Sequence, residues 1–248
     1  MFKEEQVIEI YEWYQSIEKR LLVITDVIPF INEKDLQNIK SPRLVPIIVE
    51  TCSIIDTLLR SMMPETFKRP GPKGRNMTSR GANIYDYYRE LEGELNLCST
   101  KSLLLQGIPI ILCPFKDWSD NSNKPMAWWK VYNRLKHDRI QTSNEANLFH
   151  CVKALCALMQ VMTKIPSVMG LALRTNWVQT AGYNPVETIK DISNINTSKY
   201  IAYSALFATF LSPVEWESPD DVRPVNLRNQ DRLVGHLGRL ATKREHEI

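Results

Sequence analysis

A chain of 248 residues, 44% of them hydrophobic, can bury one large core, and this composition excludes an intrinsically disordered chain. A formal net charge of +3 is too small to attract nucleic acid in bulk, so a polyanionic partner has to be recognised by a local patch. The five cysteines, Cys52, Cys98, Cys113, Cys151 and Cys156, form neither a C-x-x-C pair nor a Cys/His spacing suited to zinc, and read as reduced core thiols of a cytoplasmic protein.

In chain order, "MFKEEQVIEIYEWYQ" alternates charge with apolar side chains and lacks the unbroken apolar run of a signal peptide or membrane span, so no membrane partner is expected. From Glu4 to Ile28, Val7, Ile10, Tyr11, Tyr14, Ile17, Leu21 and Leu22 recur three and four apart, the period of an amphipathic helix that Pro29 ends. A second helix starts at Ser41 and Pro42 and runs through Leu44, Ile47, Ile48, Ile54, Ile55, Leu58 and Leu59, with Pro46 tolerated in its first turn. Next, "FKRPGPKGRNMTSRG" carries Lys68, Arg69, Lys73, Arg75 and Arg80 without an acid, and its glycines and prolines make it a loop. A third helix follows in "NIYDYYRELEGELN". The segment "SLLLQGIPIILCPF", broken by Gly107 and Pro109, leans towards a brief extended pair, and "PFKDW" reads as a turn anchored by Phe115 and Trp118.

"PMAWWKVYNRLKHDRI" supplies the fourth helix, and "NEANLFHCVKALCALMQVMTKI" a fifth, capped by Asn144 and apolar almost all round, hence central. Beyond Pro166, "NPVETIKDI" and "SKYIAYSALFATFL" read as shorter helices, and residues from Ser212 onward are largely polar. The expected fold is all-α: a bundle of four to five main helices with a short extended segment over residues 1–166, and a smaller helical C-terminal extension with a polar tail over 167–248.

Projected at about 100° per residue, the fourth helix has two faces. Trp128, Val131, Tyr132 and Leu135 fall in one arc; Lys130, Asn133, Arg134 and His137 fall in the opposite one. Residues four apart meet on a helix surface, so Asn133 can approach His137 and Lys130 can approach Arg134. Such a patch suits RNA cleavage without a metal. A histidine can take the proton of a 2′-hydroxyl or protonate the leaving oxygen, cations can stabilise charge on the phosphoryl oxygens, and an amide can orient the phosphate. A solvated helix surface has the same residue types, so a face without chemistry is the alternative.

The segment "WWKVYNRLKH", with "SPRLVPIIVETCSIIDTLLR" before it and "ANLFHCVKALCALM" after it, resembles a group of uncharacterised bacterial proteins. They share an S-P-x-L helix, a P-F-x-x-W turn and a W-W-x-x-Y-N-x-x-K-H helix. Over residues 40–165, the helix order and the positions of Asn133 and His137 are similar to the HEPN superfamily. Its members are helical bundles, commonly dimeric; many are metal-independent ribonucleases of toxin–antitoxin, abortive-infection and CRISPR systems, and others only bind nucleotides or nucleic acid. The resemblance implies His137 as acid/base, Asn133 as the polar partner, and Asp56 or Glu50 on the second helix as a supporting acid. It further implies RNA or nucleotide as ligand, a second copy of the chain or a defence or toxin component as partner, and neither cofactor nor metal. The departure is at the family's arginine: with four intervening residues that position holds Tyr132, and Lys130 meets the six-residue spacing only with a point charge. A bundle that binds without cleaving is therefore the alternative.

Basic residues Lys68, Arg69, Lys73, Arg75 and Arg80 offer a phosphate-tracking loop, with Tyr85, Tyr87 and Tyr88 behind it for stacking; a solvated loop followed by core tyrosines is the competing reading. His150 lies on an apolar helix, and His236 and His246 in the polar tail. No Walker loop, G-x-S-x-G elbow or H-E-x-x-H occurs, which leaves NTPase, serine hydrolase and zincin functions without support.

Overall fold

The computed structural model describes residues 2–28, 33–70, 76–106, 110–121, 125–175, 177–180 and 200–210. They are mostly helical: α1 (Glu4–Thr25), α2 (Glu33–Asn38), α3 (Leu44–Met62), α4 (Ile84–Leu95), α5 (Ala127–His137), α6 (Arg139–Thr142), α7 (Leu148–Met162) and α8 (Pro166–Arg174). The short strands are β1 (Arg69–Pro70), β2 (Asn76–Met77), β3 (Ser102–Leu104), β4 (Ile110–Leu112), β5 (Val178–Thr180), β6 (Tyr200–Tyr203) and β7 (Phe207–Phe210).

The centre of the molecule is α7, as its all-round apolar sequence requires. Every residue from Ala154 to Met162 is buried, and α1, α2, α3 and α5 pack around it. Its cap, however, is Asn147 and not Asn144: the Asn147 side chain accepts from the His150 amide (2.8 Å), because residues Ser143–Glu145 wind into a 3-10 turn that postpones the helix. Helix α3 lays Leu44, Ile47, Ile48, Ile55, Leu58 and Leu59 on the core, matching their spacing, and Ser41 Oγ accepts from the Arg43 amide at its start. Helix α4 is closed by Asn83, which accepts from the Tyr85 and Asp86 amides, while Asp86 accepts in return from the Asn83 amide at 2.9 Å. At its other end Asn96 takes a left-handed conformation (φ 50°), in which asparagine is tolerated better than most side chains.

The extended pair is present as β3 and β4, antiparallel, with Leu103 opposite Ile111. The expected helix in "SKYIAYSALFATFL" is corrected: residues 200–210 form the hairpin β6–β7, in a sheet of order β4-β3-β7-β6-β5. Tyr, Ile, Phe and Thr favour a pleated surface, and β3 supplies a partner edge that local periodicity cannot reveal. Ser102 and Thr209 face each other across β3 and β7, with their hydroxyls 2.7 Å apart. The helical extension is thus replaced, over these residues, by strands paired to the main body; "NPVETIKDI" and the polar tail lie outside the described residues. No single helix among the described residues is long and apolar enough to cross a membrane.

Candidate functional site

An aromatic wedge fixes helix α5. The Trp128 indole donates to the Pro114 carbonyl (2.8 Å), and its ring meets Phe115 and Trp129 edge-on at 5.7 and 5.5 Å. Trp118 donates to the Ile84 carbonyl (2.9 Å) and packs on Phe115, so the "PFKDW" turn is an anchor joining α4 to α5. Trp128, Trp129, Val131, Tyr132 and Leu135 are buried, leaving Lys130, Asn133, Arg134 and His137 exposed, as the helical projection requires.

Tyr132 is only 2% exposed, and its hydroxyl lies 3.5 Å from Ser53 Oγ on α3. It points into the α3–α5 seam, and the Lys136 ammonium sits over its ring, 5.6 Å from the centroid. The position at which the resemblance would put an arginine is therefore a packing position here.

On the opposite side Asn133, Arg134 and His137 line one open depression of about 380 Å³, together with Asp138, Thr142 and Glu145. The chain reverses just after His137. Asp138 accepts from the Gln141 amide (3.1 Å) and so caps α6, and the 3-10 turn that follows carries Glu145 back towards α5. There the Glu145 carboxylate is 2.8 Å from Arg134 Nη1. Lys130, one turn earlier on the exposed face, is not among the lining residues. The depression thus brings together three of the four expected catalytic residues and adds two carboxylates and a hydroxyl. Glu145 is separated from Arg134 by eleven positions and a chain reversal, so helical spacing has no means of finding it.

The two expected supporting acids are engaged elsewhere. Glu50 pairs with Arg20 of α1. Asp56 pairs with Arg60 one turn along α3 and accepts from the Tyr87 hydroxyl (2.9 Å), to which Arg60 Nε also donates (3.3 Å). Burial raises the Tyr87 phenol well above its ordinary range, with the Asp56 charge adding to the effect. None of these contacts reaches His137; they tie α3 to its neighbours α1 and α4.

In the basic loop, Lys68 and Arg80 are exposed, while Lys73 and Arg75 lie outside the described residues. Arg69 is a structural clamp: it pairs with the buried Asp86 (3.1 Å) and donates to the Gly81 carbonyl (2.9 Å). Tyr87 is fully buried and Tyr88 stacks edge-on with Trp118, which fits core tyrosines rather than a stacking platform. His150 is half-buried with Nδ1 3.3 Å from the Glu145 carbonyl, and burial lowers its pKa, which favours a neutral ring at neutral pH. Among the described residues no three His, Cys, Asp or Glu side chains converge as a metal ion requires.

No family model matches the chain, and comparison with curated proteins and with solved structures gives no match.

Proposed function

We propose that the protein is a HEPN-like RNA-binding bundle that acts as a metal-independent endoribonuclease of a bacterial or phage-related defence or toxin system, using the exposed face of α5. The observation that carries this reading is the convergence of Asn133, Arg134 and His137 on one open depression. Arg134 supplies the planar donor fork that phosphate oxygens match, and Lys130 extends positive charge along the same face. His137 accepts or donates the proton, and Asn133 orients the phosphate between them. A second copy of the chain is the partner that the resemblance implies.

The test is incubation of structured RNA with purified protein in the presence of a chelator. Wild type should cut, and His137→Ala should lose cleavage by two to four orders of magnitude, about the contribution of a general acid/base. Equal cleavage by the two proteins removes His137 from the reaction.

A second reading, binding without cleavage, is favoured by Tyr132. Because it is buried in the helix seam, the face lacks the arginine that the family's spacing places next to the polar residue. Under this reading RNA stays intact, and binding weakens with salt and on neutralising Lys130 and Arg134.

A further inference from the structure

We propose that Glu145 is a built-in competitor for phosphate: the guanidinium of Arg134 that it holds is the group that takes a phosphate ligand, and the carboxylate has to swing away first. The inference rests on the reading of this face as a phosphate-binding surface and adds to it a residue that sets which anions gain entry.

The charges of the depression carry the first step. Its lining sets one guanidinium, Arg134, against two carboxylates, Asp138 and Glu145, so an incoming anion has to compete with carboxylate for the guanidinium. Asp138 is held in place as the cap of α6. Glu145 is different. Its backbone is fixed, with its carbonyl against His150 Nδ1 and the next residue's amide bonded to the Ser143 carbonyl (3.2 Å), and the following Asn147 caps α7. Among the described residues its carboxylate has Arg134 as its one ion-pair partner, with 29% of the side chain exposed against 50% for Arg134.

Exchange is therefore a rotation of one side chain. An ion pair this exposed is weak, because water screens it and both side chains lose freedom to hold it. Pyrophosphate offers more charge and more acceptor oxygens to the same fork than one carboxylate does, and a chain of phosphodiesters, each singly charged, gathers that charge along its length. The carboxylate consequently yields to a polyphosphate or a phosphate chain but competes well with singly charged anions, so Glu145 selects for dense negative charge.

Calorimetric titration with inorganic pyrophosphate tests this in four proteins: wild type, Glu145→Gln, Arg134→Ala and the double variant. Glu145→Gln keeps the size of a partly exposed side chain and should tighten pyrophosphate binding about three- to fivefold, the worth of one exposed pair. In the Arg134→Ala background the same substitution should bring no gain. Equal affinity in wild type and Glu145→Gln, absence of pyrophosphate binding in both, or a gain that survives without Arg134 would each overturn the proposal. Binding of a single-stranded RNA, measured on the same samples, separates the two ideas. RNA binding with pyrophosphate indifferent to Glu145 sinks the competitor and leaves the RNA reading; a pyrophosphate gain without RNA binding does the reverse.

Discussion

Tyr132 shows how one residue can look functional by spacing and be structural by position. Its place in the α3–α5 seam follows from the helical period, since residues 128, 131, 132 and 135 share the face that meets the core. Replacing it with arginine, Tyr132→Arg, would force a guanidinium into a site that is 2% exposed, where Ser53 offers one hydroxyl and Arg60 is a like charge within electrostatic reach. We expect this variant to lose roughly 3 kcal/mol or more of stability, as an uncompensated buried charge does, and to gain no cleavage. Chemical denaturation with a parallel RNA assay reads both, and a Tyr132→Arg protein as stable as wild type with raised nuclease activity would refute the packing assignment. The same logic explains which site residues were legible. Asn133, Arg134 and His137 could be grouped from sequence because one helix holds them. Glu145 could not, and neither could Arg20 as the partner of Glu50 or Tyr87 as a partner of Asp56, because each depends on a contact between elements.

Between elements, the carboxylate of Glu18 does for the C-terminal hairpin what Trp128 does for α5. It is 6% exposed on the inner face of α1, and a single oxygen, Oε1, accepts from the Leu206 amide (3.0 Å) and the Tyr14 hydroxyl (3.1 Å). It thereby grips the β6–β7 turn, which Tyr14 reaches as well through Ser204 Oγ (3.0 Å). In a sequence this glutamate is one acid among many on an amphipathic helix, and nothing local marks it as buried. Burial raises its pKa, and the hydrogen bonds to Ser204, Leu206 and Tyr14 offset part of that rise. The sign follows from linkage. A carboxyl whose folded pKa lies above its unfolded value favours folding fully at pH below the unfolded value, and that contribution is lost as pH rises through the folded value. Glu18→Gln keeps an oxygen for the Leu206 and Tyr14 donors and does not titrate. The melting temperature of the variant should therefore match wild type near pH 4 and exceed it increasingly towards neutrality. A gap that shrinks as pH rises would contradict the assigned direction.

At the scale of the whole molecule, the helical body was legible because long periodic segments announce themselves, whereas the sheet was hidden by the distance along the chain between its strands. Residues 102–104 pair with residues 207–209, so the formation of β7 depends on an edge built about a hundred positions earlier. A division of the chain at residue 166 therefore cuts through one sheet. Leu206 and Phe207 are fully buried in the same core cluster as α1, α3 and α7, and Glu18 and Tyr14 bond the turn between the strands. Removing them would leave the β3 edge unpaired, strip the carboxylate of Glu18 of its backbone donor, and open the core beside Met159. Calorimetry of the full chain should accordingly show helices and hairpin melting in one cooperative transition, and a chain ending at residue 175 should melt far lower or fail to fold. Two separate transitions, or a shortened chain as stable as the full one, would show that the bundle folds without its hairpin. In that case the face of α5 could be studied on the helical body alone, since none of the residues lining its depression touches the sheet through a hydrogen bond or ion pair among the described contacts.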